Sequence, residues 1–213
     1  MPQLQTIKPC WSDLCVVAAP GPSLTPEIAQ ACRHLPVIAV NDAARLLPEA
    51  DVLYACDPSW WMYHAGCPEF AGEKWSSHGN AAHDNKLATA DRFGINLIQG
   101  ADRPGFSFDP ARIHYGDNSG FQAINLAIHR LGGTGRVVLI GFDMRIVAGR
   151  RHFFGEHPSA LRSTGPGYAM WCRKFDQAAR MLPSGLEIIN CTPGSALRCF
   201  PMMDLADALP VAA

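Results

Sequence analysis

Apolar residues in this chain fall into short continuous runs, each closed by glycine, proline or a small polar residue. A short apolar run bounded by turn formers marks a strand buried on both faces. Runs over 15–19, 37–40, 52–55 and 137–140 fit that description, with further strands expected near 96–98 and 186–189. Between them lie segments of helical spacing. Thr25 followed by Pro26 is a cap and first-turn pair that predicts a helix over 26–34. A longer helix is predicted over 119–131, closed by Gly132 and Gly133 and burying a face of Phe121, Ile124, Leu126 and Ile128. Another is predicted over 168–182, and the stretch before residue 96 is weakly patterned.

Strand and helix in alternation imply a mostly parallel sheet with right-handed crossovers. The expected fold is a Rossmann-like three-layer α/β sandwich, with residues 143–165 as a lid-like loop. At 213 residues the chain suits a single domain spanning 1–213. Its 48% apolar content supplies a core and excludes global disorder. A formal charge of −1 speaks against nucleic-acid binding through overall charge. No apolar run approaches the ~18 residues that span a bilayer, and Met1-Pro2-Gln3-Leu4-Gln5 lacks the plan of a signal peptide. A cytoplasmic protein is expected. The eight cysteines contain no C-x-x-C pair, which reads as reduced thiols used as small core residues.

In an open parallel sheet, ligands bind outside the carboxyl ends of the strands. Those ends carry Gly21-Pro22-Ser23, Asn41-Asp42, Asp57, Gly141-Phe142-Asp143 and Asn190-Cys191-Thr192-Pro193. Asn118-Ser119-Gly120 opens the long helix on the same rim, where backbone N–H groups suit an anion. Each segment alone reads as an ordinary turn or cap; their shared edge is what points to a ligand crevice. The loop adds Arg145, Arg150, Arg151, His152, Glu156, His157 and Arg162. Arginines beside a phosphate site neutralise a leaving diphosphate. A histidine there suits a general base, since its ordinary pKa lies near neutrality. The five-residue offset of His152 and His157 is not the spacing of paired ligands on a helix, so no metal site is assigned. Trp60, Trp61 and Tyr63 are expected to pack inward.

Residues 17–24, 41, 52–59, 118–141 and 143 resemble the signature segments of bacterial sialyltransferases of glycosyltransferase family 42. They also resemble the related domain of archaeal 6-hydroxymethylpterin diphosphokinases. Gly-Pro-Ser-Leu, Asp-Pro-Ser-Trp-Trp, Asn-Ser-Gly-Phe-Gln-Ala-Ile-Asn-Leu-Ala and His-Phe-Phe-Gly-Glu-His are similar to segments of uncharacterised phage and prophage proteins. The resemblance implies nucleotide contacts at Gly21, Pro22, Ser23, Asn41, Asp57, Asn118, Ser119 and Gly120. It also implies a base in the mobile segment after the 137–140 strand, matched here by His157 or His152. Departures exist. Gly116 stands where the sialyltransferases carry an arginine, and Arg145 stands where they carry a tyrosine.

The expected function is therefore a nucleotide-dependent transferase moving a glycosyl or phosphoryl group from a nucleotide or nucleotide-sugar donor. Candidate catalytic groups are His157, His152 and Asp143, and candidate phosphate contacts are Arg145 and Arg151. No prosthetic group is expected; Mg²⁺, held by Asp57 and Asp143, belongs only to phosphoryl transfer. Two alternatives stand beside it: a non-catalytic nucleotide- or small-ligand-binding module of phage origin, and a metal-dependent hydrolase using His152, His157, Asp57 and Asp143. A phage-encoded chain would work in the host cytoplasm, and a homo-oligomer is left open.

Overall fold

A computed structural model describes residues 3–79, 84–161 and 167–210. Eight strands form one sheet: β1 (Leu14–Ala18), β2 (Val37–Val40), β3 (Val52–Tyr54), β4 (Glu73–His78), β5 (Asn96–Ala101), β6 (Arg112–His114), β7 (Gly135–Ile140) and β8 (Leu186–Asn190). Their order is β6-β5-β4-β3-β2-β1-β7-β8, and every neighbouring pair is parallel. The chain winds outward from β1 in one direction and returns through β7 in the other. The switch point of this Rossmann-like α/β fold therefore lies between β1 and β7.

Side chains along β1 alternate between two apolar cores. Cys15 and Val17 join one face, Val16 and Ala18 the other, and all are fully buried. Burial on both faces is why the strands read as unbroken apolar runs. The first face is covered by α4 (Ser119–Arg130) and α5 (Tyr168–Ala179), through Phe121, Ile124, Ile128 and Phe175. The second is covered by α1 (Pro26–Cys32), α2 (Pro58–Tyr63) and α3 (Asp84–Phe93), through Ala29, Trp60, Trp61 and Ala90. A short α6 (Leu205–Ala208) adds Ala208 to that side. Each fully buried Phe or Ile side chain contributes about 1.5–3 kcal/mol to this packing. Among the described residues no helix is long and apolar enough to cross a membrane.

The predicted start of α1 and the predicted end of α4 hold, although α1 stops at Cys32 rather than 34. Thr25 Oγ1 accepts the Ile28 N–H at 3.3 Å, and Pro26 occupies the first turn. At the other end of α4, Gly133 N–H donates to Ile128 O at 2.9 Å with φ of +84°, a left-handed closure that glycine adopts without strain. Elsewhere the boundaries move: α5 stops at Ala179 rather than 182, and β5 runs on to Ala101. The weakly patterned stretch before residue 96 holds α2, β4 and α3, and β6 and α6 also carried no recognisable sequence signal. In β4, Ser76 and Ser77 are buried, and Ser77 Oγ donates to Gln122 Oε1 at 2.8 Å. Tyr54 of β3 donates its hydroxyl to the same oxygen at 2.7 Å. A polar strand is thus stitched into the core by a polar residue of the covering helix. β6 is held likewise, since Asn125 Oδ1 of α4 accepts the His114 N–H at 3.0 Å.

Candidate functional site

The two strands at the switch point end in a mutual lock. Ser23, after β1, donates its hydroxyl to Asp143 Oδ2 at 2.8 Å and its backbone N–H to the same oxygen at 3.2 Å. Asp143 follows β7 and is buried. Gly21 between them has no room for a side chain: a Cβ there would stand 2.1 Å from Asp143 Oδ2 and 2.2 Å from Gly141 O. That is why the turn after β1 carries glycine at this position. Pro22 is half-buried beside it.

One layer along the same edge, the start of α4 meets the end of β3. Ser119 Oγ accepts the Cys56 N–H at 3.1 Å and donates to Cys56 Sγ at 3.1 Å. Asn118 caps the helix, its Oδ1 accepting the Phe121 N–H at 2.9 Å and its Nδ2 donating to Gly116 O at 3.0 Å. Gly120 fits under Phe142, whose ring would lie 2.9 Å from an added Cβ. Asp57 precedes α2 with its carboxylate exposed and making no capping bond. Burial pushes the Cys56 thiol up to about 12, with Asp57 adding to the rise, so this sulfur is a hydrogen-bonding group and not a nucleophile.

The loop after β7 is folded down across this edge. Its described part, residues 143–161, contains two bridged turns, Val147 with Arg150 and His152 with Gly155, and a 3₁₀ turn, Ser159–Leu161, that packs on α2. It is therefore more ordered than a bare polar loop. Phe153 N–H donates to Pro20 O at 3.1 Å, pinning the loop over the end of β1. Arg45 lies over the Phe154 and Phe153 rings, 5.2 and 5.9 Å from their centroids. His157 Nδ1 then comes to 3.9 Å from Asp42 Oδ2, in the 3₁₀ turn Asn41–Arg45 that follows β2. His152 stacks on Phe154 at 5.0 Å and tilts against the His157 ring at 4.5 Å, and Phe154 touches His157 as well at 5.1 Å, so the three rings form one cluster.

Asp42 is the hub. Its side chain is buried, and its Oδ2 accepts the Trp60 indole N–H at 2.8 Å. His64 Nε2 stands 3.7 Å from its Oδ1. Burial pushes the His157 imidazole below the ordinary histidine value, with Asp42 pulling the other way and His64 adding to the lowering. His152 is pushed down to about 4, by burial first and by His157 second. Both rings are thus neutral at pH 7, the form that accepts a proton.

Of the predicted residues, Gly21, Ser23 and Asp143 meet directly, as do Ser119 and the segment holding Asp57. His152 and His157 meet each other but face Asp42, not Asp143. Asn41 lines a separate cleft on the far side of Asp42, with a left-handed φ of +50°. Arg145 is exposed with its guanidinium against Gly194, and Arg151 is exposed 3.6 Å from Glu156. Arg162 lies outside the described residues. Trp60 and Trp61 are buried as expected, whereas Tyr63 is exposed. The set His152, His157, Asp57 and Asp143 is not gathered, and no group of three His, Cys, Asp or Glu side chains among the described residues is arranged to hold a metal ion.

Sequence reasoning named Asp42 only as part of a strand-end segment, with no role of its own, and passed over His64 and Tyr168. Burial pushes the Tyr168 phenol up; Arg151 opposes that, while Glu156 and Asp143 reinforce it, which sets the ring between loop and switch point. A carboxylate at the end of a buried strand was the available signal for Asp42. For His64 and Tyr168 there was none.

No family model and no curated protein sequence matches the chain. Among solved structures it is similar to the MAf glycosyltransferase from Magnetospirillum magneticum AMB-1, with 12% sequence identity and a TM-score of 0.46. That comparison covers 100% of this chain and 36% of the other, so this chain spans about a third of that structure's length.

Proposed function

We propose that the chain is a nucleotide-dependent transferase that moves a glycosyl or phosphoryl group from a nucleotide donor to an acceptor hydroxyl. One observation carries the reading: the loop after β7 is pinned over β1 and hangs a neutral histidine, His157, beside the buried carboxylate Asp42. A neutral imidazole oriented by a carboxylate at the carboxyl edge of a parallel sheet is built to take a proton from a hydroxyl. The 3.9 Å separation exceeds a hydrogen bond and is of the kind that tightens when substrate binds.

The donor nucleotide lies along Gly21, Pro22, Ser23, Asp57, Asn118, Ser119 and Gly120, with its phosphates toward the positive end of α4, while Asn41, expected from the sequence to join them, lines the separate cleft. Arg145 and Arg151 offset the charge that grows on the departing phosphate. In the transfer step the acceptor oxygen forms a bond to the anomeric carbon or phosphorus of the donor. The bond from that atom to the nucleotide's phosphate oxygen breaks, and its electron pair leaves with the nucleotide. The acceptor proton passes to His157. His152, too weak a base to compete at pH 7, keeps the His157 ring in place by packing against it.

A second reading, a binding module without catalysis, is favoured by the engagement of the Ser23 and Ser119 hydroxyls inside the fold. Titration calorimetry with CMP, CDP, ATP and GTP tests the first part. Saturable binding by at least one nucleotide, weakened in Ser119→Ala, is expected; no binding by any of the four refutes it. His157→Ala separates the readings, because a transferase keeps nucleotide affinity and loses turnover.

A further inference from the structure

We propose that the cleft between the 3₁₀ turn Asn41–Arg45 and α2 is the acceptor subsite, and that it takes a neutral sugar unit through its hydroxyls. The assignment of acceptor rests on the transferase reading; the sugar chemistry rests on the cleft itself. The space, its open mouth included, measures about 430 Å³. Trp60 and Phe70 supply apolar wall, and Asn41, Asp42, Arg45, His64 and Glu69 supply polar groups.

Among the described residues, two buried polar atoms of this wall have no hydrogen-bond partner, and one carboxylate oxygen has none within reach. Asn41 Oδ1 and His64 Nε2 are both buried and unpaired. Asp42 Oδ1 has His64 Nε2 at 3.7 Å and Arg45 Nη1 at 3.9 Å, each beyond hydrogen-bond reach, while its other oxygen is taken by Trp60. Buried polar groups are normally satisfied, so unpaired ones lining a cavity mark where a ligand completes the pattern. Two acceptor oxygens plus an imidazole ask for a molecule with several donors that also accept. Vicinal hydroxyls have that character.

Charge decides against the nucleotide as occupant. The wall carries two carboxylates, Asp42 and Glu69, against one guanidinium, Arg45, an excess that disfavours phosphate. An uncharged ring with an apolar face for Trp60 and hydroxyl edges for Asn41 and Asp42 meets no such penalty. The position also suits the chemistry. Asp42 is the partition between the cleft and the loop, with Oδ1 toward His64 and Oδ2 toward His157 Nδ1. A hydroxyl held at Oδ1 lies one carboxylate away from the His157 ring.

Saturation-transfer NMR with methyl β-galactoside, methyl β-glucoside, methyl α-mannoside and methyl N-acetyl-β-glucosaminide, each with and without CDP, tests the cleft. At least one glycoside is expected to bind saturably, and Glu69→Ala and Arg45→Ala to weaken it about fivefold each, the weight of one hydrogen bond. Nucleotide affinity measured by calorimetry is expected to stay unchanged in Glu69→Ala. No transfer to any glycoside, or transfer indifferent to both substitutions, overturns the cleft assignment while leaving the nucleotide reading standing. Glycoside binding sensitive to Glu69→Ala without binding of any nucleotide keeps the sugar site and removes the transferase.

Discussion

Replacing Gly21 by alanine isolates the contact on which the candidate site depends, the apposition of the turns after β1 and β7. The new methyl would stand 2.1 Å from Asp143 Oδ2 and 2.2 Å from the Gly141 carbonyl, more than an ångström inside ordinary contact. The carboxylate can swing away only by abandoning Ser23, and the carbonyl can move only with β7. Gly21 N–H also donates to that carbonyl at 3.0 Å, a bond the displacement breaks. Gly21 is not in the left-handed region, so the penalty is steric and not conformational. Overpacking of this kind costs about 1–3 kcal/mol, and the lost hydrogen bond about 1 kcal/mol more. At ~2–4 °C per kcal/mol for a chain of this size, Gly21→Ala is expected to lower Tm by roughly 5–15 °C. Thermal denaturation followed by circular dichroism measures it. A Tm within about 1 °C of wild type would mean that the two turns do not meet, and the geometry of the switch point would be wrong.

Trp60→Phe removes the indole donor from buried Asp42; urea denaturation is expected to show a loss of about 1–3 kcal/mol, and none if that bond is absent. Asn118→Ala removes the cap on Phe121 N–H and is expected to cost about 1 kcal/mol in the same assay, and Asn118→Asp keeps the cap but loses the Nδ2 bond to Gly116 O. The unfolded chain protonates histidine near pH 6.5, whereas His152 in the fold resists until about 4 and His157 is lowered as well. Stability from these rings is therefore full above pH 6.5 and falls as the pH drops below it. Tm measured from pH 8 to pH 5 should decline, and His152→Gln should flatten the decline; an identical slope in the variant would show that the ring is solvated.

The apolar runs at β1, β2, β3 and β7 were legible because burial on both faces leaves no polar positions to interrupt them. So were Thr25 and Gly133, whose capping chemistry is local. These determine a parallel sheet and place the loop ends along one edge. The sequence could not announce β4, because Ser77 is buried only by virtue of Gln122, a residue 45 positions away. Nor could it pair His157 with Asp42, which are joined by the path of a loop pinned to Pro20. Local patterning follows from one residue's preference for its own backbone and solvent, and it can be read along the chain. Partnership at the site depends on which strand ends lie side by side, and that was decided only when the sheet reversed direction between β1 and β7.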